Sequence, residues 1–427
     1  MNKNFFTNKL TQLSSLIGLY LIASIIPMAI KVAINPFIAL NMRPEDYAIV
    51  GFYGSFNGLF SPLIYFYAFS YYIKRYFEVD EVNRKFLKAT ILQSLVYFSI
   101  LISIITFLGL YVYMQYFNKG SSIKFLPYAL FSVFSIPLSG IITFKLTDYK
   151  MERKSRAFFK LSVYQGIVSS ALTILLVVFL KLGAFGLMSA TFLAALLLFM
   201  YGIYSERMFF TEKFDLEIFK KMLLFVWPLI IGAMLHFFTN GYDRVYLERT
   251  GNKKELGFYV VAIQLVALIG VFQTAINNTF QPDLYKALVN RNWRSAFKYI
   301  SVILFILLSI VIVFVLIAPF LVDILTAGRY VYSTKYARVL AFSQFTMGLY
   351  FLTTEITIVM GYTKLTLFNK IIGVVATVYL YSFLISKWNF MGAAYGNVIS
   401  YMMMTIINII ILTLWIKWEN RKKRRIC

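Results

Sequence analysis

The chain has 427 residues, of which 60% are hydrophobic and only 14% charged, with a mean hydropathy of +0.73. Soluble domains carry about 25% charged residues, so this apolar excess excludes an ordinary aqueous fold. The net charge of +24 would suit nucleic acid, but its distribution along the chain points to a lipid surface instead.

Long charge-free runs recur, including 47–73, 89–118, 256–282 and 388–416. A helix crosses the hydrocarbon core in about 20 apolar residues. Lipid offers the backbone no hydrogen bonds, so each run must satisfy its own peptide groups as a helix. Twelve spans are predicted, near 10–34, 47–73, 88–114, 125–147, 158–180, 183–205, 222–242, 256–280, 298–320, 338–362, 366–386 and 391–416. The 43 Phe and 31 Tyr fit span interiors and interfacial belts. The expected fold class is an all-α integral membrane protein, with 12 transmembrane helices in two six-helix bundles around a central cavity.

The first span runs on, apolar, as far as Met42, and Pro27 and Pro36 should bend it. It carries Lys31, which either faces an anionic substrate in the cavity or snorkels to the outer interface. Span two holds Asn57, a further cavity candidate, and ends in the aromatic run Tyr65-Phe66-Tyr67-Ala68-Phe69-Ser70-Tyr71-Tyr72 beside Lys74 and Arg75. That run is read first as an interfacial belt and second as a stacking surface for sugars. The basic loop 205–221 is the natural boundary, giving domains 1–210 and 211–427. Within it, residues 214–221 read as a short amphipathic interfacial helix.

Span seven contains His236, the only histidine. A polar interhelical contact is the simpler role, proton coupling the other. Span eight has a polar row, Gln273, Asn277 and Gln281, on one helical face beside Thr274 and Asn278. It either lines a cavity for hydroxyl-rich sugars or serves as interhelical glue. Glu355 interrupts span ten, either as a coupling-ion ligand or as an ion-pair partner of Lys370. Gly392 and Gly396 form a GxxxG pair suited to a close helix contact.

Counting Lys and Arg by side gives 29 on the side of the termini and 12 on the other, with Lys31 inside a span. The positive-inside rule then puts both termini in the cytoplasm. The tail Arg421-Lys422-Lys423-Arg424-Arg425 reads as an anchor on anionic lipid, and no nucleic-acid partner is expected. The first apolar run is too long for a cleavable signal. Cys427 is the only cysteine, so neither a disulfide nor a Cys/His metal site is expected, and no cofactor is called for. With one histidine and no phosphate-cradling Gly-rich loop, no enzyme signature is present.

Two matches share one offset. Gly51-Phe52-Tyr53 recurs 206 residues later as Gly257-Phe258-Tyr259, and Gly186 recurs as Gly392. A duplication of six spans would keep orientation, giving parallel repeats.

Several stretches resemble the polysaccharide-flippase (O-antigen transporter, Wzx-like) branch of the multidrug/oligosaccharidyl-lipid/polysaccharide exporter superfamily. They are Asn35-Pro36-Phe37 through Arg43-Pro44-Glu45-Asp46-Tyr47, then Trp227-Pro228-Leu229 with Asp243-Arg244, Glu255-Leu256-Gly257-Phe258-Tyr259, Gln281-Pro282-Asp283-Leu284-Tyr285, and Gly392-Ala393-Ala394. Ala48 departs from the family's frequent Gly at that turn. The resemblance implies a flippase moving an undecaprenyl-pyrophosphate-linked O-antigen repeat unit from the cytoplasmic to the outer leaflet of a bacterial inner membrane. It implies alternating access with H+ or Na+ coupling and other polysaccharide-assembly membrane proteins as partners. Asp243 and Arg244 carry over as family-motif positions, whose plainer role is a structural pair. A drug or small-cation antiporter of the same superfamily is the alternative, although its chemistry wants an acidic cavity. A membrane-embedded oligosaccharide polymerase or ligase is the third reading, disfavoured by the short outer loops.

Overall fold

The computed structural model describes residues 26–426. The start of the expected first span and Cys427 therefore lie outside the described residues. Helix α1 spans Ile26–Asn41. It is followed by α2 Pro44–Tyr65, α3 Ala68–Arg75, α4 Glu81–Val112, α5 Tyr128–Met151, α6 Ser155–Thr173 and α7 Gly183–Phe210. Then come α8 Leu216–Met234, α9 Phe237–Asn240, α10 Tyr242–Glu248, α11 Lys253–Val289, α12 Trp293–Thr326, α13 Ser333–Val359 and α14 Thr363–Ile426. No strand occurs among the described residues.

Among the described residues, eight helical segments are long and apolar enough to cross a membrane. One of them, within α14, leaves helical geometry at Asn389 and so supplies two spans. With α1, α2–α3 and α13, each of the twelve expected spans has a helix within its described residues, the first over 26–34 only. Most apolar surface is left outside the protein core: the most apolar window of α12 has a mean hydropathy of 3.5 and is only 22% buried. Such a surface suits hydrocarbon rather than water. This is an all-helical, multi-pass membrane fold.

Two spans are broken where sequence periodicity alone reads them as continuous. Span two stops at Phe66 and Tyr67, whose φ values are 36° and 50°, four residues after Pro62 within α2. Span seven, which contains Pro228, is interrupted after Met234 and continues as the short helices α9 and α10. Proline removes an i→i−4 hydrogen bond and loosens the turn around it.

The described chain divides into two compact units, one ending at Met234 and taking in Leu325–Ala327, the other comprising Leu235–Ile324 and Gly328 onward. Helix α8 packs on α2, α3 and α4, which carries the first unit past the expected boundary at residue 210. Asn35 Nδ2 donates to the Leu325 carbonyl at 2.7 Å and joins that short segment to α1. In the first unit α5 is the central helix, packed on α2, α4, α6 and α7. Its core includes Tyr72, Leu87, Ile91, Phe144 and Met222. In the second unit α13 lies against α11 and α14, with cores around Leu284, Ile303 and Leu352 and around Tyr350, Tyr401 and Met404.

The paired glycines at the 206-residue offset do the same job in each unit. A Cβ on Gly186 would lie 2.7 Å from the Leu176 carbonyl oxygen, and one on Gly392 only 2.0 Å from that of Leu384. At both sites a new span folds back hard against the end of the preceding helix. No side chain fits at either position.

Candidate functional site: a hydroxyl-lined hollow in the first unit

Serines recur on one face of α5 at 132, 135 and 139, a helical spacing. They face a cavity of about 300 Å³ that is also lined by Lys31, Asn57, Ser61, Tyr65, Gln165, Ser169 and Thr191. A second hollow of about 270 Å³ shares Lys31, Gln165 and Ser169 with it. A third, of about 130 Å³, shares Asn57, Ser132, Ser135 and Thr191. The first unit thus contains a run of adjoining polar hollows with shared walls. Lys31 and Asn57, separate candidates in the sequence, meet on the largest of them.

The hydroxyls are already oriented. Ser135 donates to the Phe131 carbonyl at 2.5 Å, Ser139 to that of Ser135 at 2.9 Å, and Thr191 to that of Leu187 at 3.0 Å. Tyr65 donates to the Ile136 carbonyl at 2.7 Å. With their protons committed to the helix backbone, these oxygens still have lone pairs to offer a ligand's hydroxyls. Donors on the wall are the Lys31 ammonium and the Asn57 and Gln165 amides. Among the described residues, Lys31 is the one charged residue lining the three hollows, and no carboxylate lines them. Hydrogen-bonding chemistry of this kind inside a membrane span suits a polar, hydroxylated, anionic ligand better than a lipophilic cation.

The remaining candidates lie in the second unit and are used differently. Gln281 Nε2 donates to Glu355 Oε1 at 2.8 Å, joining α11 to α13. Gln273 is buried, and neither its amide oxygen nor its nitrogen has a partner among the described residues. It faces Gly348, where an added Cβ would come within 3.3 Å of the amide nitrogen. Asn277 is half-buried between them on α11. Asp243 is buried, accepting at Oδ2 from the Tyr259 hydroxyl at 2.7 Å and at Oδ1 from Arg244 Nε at 3.4 Å. One turn earlier, the Asn240 amide touches His236 Nε2 at 2.8 Å and also bonds to Tyr401 of α14. The segment α9–α10 is therefore held by side-chain hydrogen bonds where its helix is interrupted.

One cluster escaped sequence reasoning. Lys88 of α4 pairs with Asp148 of α5 at 2.7 Å and with Glu206 of α7 at 3.0 Å, and Lys145 of α5 pairs with Glu206 at 2.9 Å. Tyr72 of α3 donates to Asp148, and Lys145 to Ser205 at 2.5 Å. Each charge sits at an expected span end, where it passes for a loop charge. The i, i+3 pair Lys145 and Asp148 was the available signal.

A multi-pass all-helical fold of this kind is shared with solved transporters. The chain superposes on a multidrug resistance MATE family transporter of the MOP superfamily in its inward-facing conformation, with TM-score 0.66, 16% identity, and 94% of this chain and 99% of that one covered. It also superposes on the lipid II flippase MurJ in an inward closed conformation, with TM-score 0.72, 14% identity, and 92% and 87% covered. No curated protein matches it in sequence. The model of the polysaccharide biosynthesis protein family matches residues 42–335, and the chain belongs to that family.

Proposed function

We propose that this protein is a flippase carrying a lipid-linked oligosaccharide repeat unit, of the O-antigen type on undecaprenyl pyrophosphate, from the cytoplasmic to the outer leaflet of a bacterial cytoplasmic membrane. Both termini face the cytoplasm, as the Lys and Arg asymmetry implies. The observation that carries this reading is the wall of the first-unit hollow, where neutral hydroxyls and amides share the lining with Lys31, the one charged residue among the described residues there.

The physical problem is to move sugar and diphosphate through oil while the polyprenyl tail stays in lipid. Exposing polar groups to hydrocarbon without partners costs several kcal/mol each. A lining of oriented acceptors and amides replaces water around the sugar, and Lys31 offsets part of the diphosphate charge. Alternating access then presents the hollow to each leaflet in turn. Ion coupling would bias the direction, because one elementary charge crossing 100 mV is worth about 2.3 kcal/mol. Glu355, bonded to Gln281, is the residue assigned to the coupling ion. The family membership and the likeness to MurJ support this reading. A cation antiporter fits less well, because no carboxylate among the described residues lines these hollows to hold a cation.

The test is a reconstituted flipping assay with a fluorescent undecaprenyl-pyrophosphate oligosaccharide. Lys31→Ala should slow translocation by about tenfold or more, equivalent to ~1.4 kcal/mol on the barrier, and Lys31→Arg should retain most of the rate. Wild-type rates in Lys31→Ala would remove the hollow from the mechanism.

A further inference from the structure

The second unit holds a cavity of about 430 Å³ that the translocation reading does not use. Trp388, Asn389, Asn252, Glu255 and Thr250 contribute to its wall. Ligand pockets begin at about 300 Å³. The Trp388 indole is 46% exposed and meets Tyr395 at 81°, 6.1 Å between centroids.

The internal repeat shows that this wall is a departure. At the 206-residue offset, Leu182-Gly183 of the first unit becomes Trp388-Asn389, and Asp46 becomes Asn252. In the first unit the place is filled. Asp46 Oδ1 accepts from the Ala184 amide at 3.1 Å and would lie 2.7 Å from a Cβ on Gly183. Gly183 has φ +55°, where glycine is unstrained. Asn389 keeps positive φ, at 48° with ψ −127°, yet carries a side chain. Non-glycine residues held in such conformations concentrate at functional sites. The second unit has therefore exchanged leucine and glycine for an indole and an amide beside an open cavity, with Asn252 capping α11 and Glu255 at the helix position that Asp46 holds in α2.

Glu255 is prepared as an acceptor. Lys335 at 2.8 Å and the Tyr336 hydroxyl both bond to its Oε1, which leaves Oε2 to accept from a ligand. The Asn252 side-chain oxygen Oδ1 accepts from the Glu255 backbone amide at 3.0 Å, leaving its NH2 group to donate. An aromatic face is electron-rich and attracts the polarised C–H face of a sugar ring. Planar amides and a carboxylate beside it match a sugar's alternating hydroxyl donors and acceptors.

We propose that this cavity binds a glycan, stacked on Trp388 and hydrogen-bonded by Asn252, Asn389 and Glu255 Oε2. Its walls come from the loop after α10, the first turns of α11 and α13 and the α14 kink, which face the outer leaflet in the orientation proposed above. The ligand class does not rest on that orientation.

The test is saturation-transfer NMR on the full chain in lipid nanodiscs, with an N-acetylglucosamine trimer and maltotriose as probes. Wild type and Trp293→Leu should transfer saturation equally to the ring protons of at least one probe. Trp388→Leu and Asn389→Gly, which restore the first-unit residues, should each cut the signal at least fivefold. Glycine suits the backbone at 389, so Asn389→Gly should melt no lower than wild type and the loss cannot be assigned to misfolding. Absence of transfer to either probe in wild type, or full signal in Asn389→Gly, overturns the proposal. Failure here leaves the flippase reading standing, because that reading is tested by Lys31→Ala, and failure there leaves this site standing.

Discussion

The buried charge cluster of the first unit gives the sharpest energetic prediction. Lys88, Lys145, Asp148 and Glu206 sum to zero charge, with side chains 15%, 6%, 3% and 8% exposed respectively. Glu206→Gln removes the carboxylate that Lys145 pairs with and one of the two held by Lys88. Lys88 keeps Asp148, itself bonded by Tyr72, whereas Lys145 keeps only Ser205 and the rings of Tyr149 and Tyr201, 5.8 and 5.4 Å away. Stranding one member of a buried pair costs about 3–5 kcal/mol. The remaining contacts of Lys145 place Glu206→Gln near the low end, about 3 kcal/mol. Lys145→Met with Glu206→Gln removes both charges and leaves the Lys88–Asp148 pair intact, so the double variant should lose only about 1 kcal/mol. Equilibrium unfolding of the purified full chain in micelles measures both, together with the single Lys145→Met variant. A loss under about 1 kcal/mol for Glu206→Gln, or a double variant whose loss equals the sum of the singles, would refute the claim that the four charges act as one neutral network.

The fold and the second unit supply further tests. Gly392→Ala places a Cβ against the Leu384 backbone, where nothing can yield, and should cost about 3 kcal/mol or more in the same unfolding measurement. Gly109→Ala meets nothing within 4 Å and should stabilise α4 by up to about 1 kcal/mol, which makes it the matched control. Tyr259→Phe deletes the hydrogen bond to the buried Asp243 carboxylate and should cost about 1.5–3 kcal/mol. A neutral result there would mean that Arg244 alone satisfies Asp243.

Much of the architecture was legible because lipid leaves the backbone few choices. A charge-free run of sufficient length must be helical, whatever its neighbours, so each expected span finds a helix. The break at Phe66–Tyr67 and the interruption after Met234 were less legible. Pro62 and Pro228 stand in the sequence, but where a loosened turn gives way depends on packing. Span eight shows the same limit at the level of a site. Its polar row was prominent, yet Gln281 is committed to Glu355 and Gln273 is sealed against Gly348. The serines of α5 drew no attention, because serine in a membrane helix commonly bonds its own backbone. Only the placement of α1, α2 and α6 around them makes a hydroxyl-rich wall.

Composition, charge asymmetry and the 206-residue echo are properties of order along the chain. They suffice for the solvent and the helices, because hydrocarbon acts on each segment separately. Which polar groups share a hollow, which cancel in a neutral cluster and which lose their space to a neighbouring glycine are questions of distance between remote residues. Lys31 and Asn57 on one cavity wall, Lys145 beside Glu206, and Trp388 and Asn252 on another wall were brought together only when the helices packed, since side-chain chemistry acts over a few ångströms of space and takes no account of sequence separation.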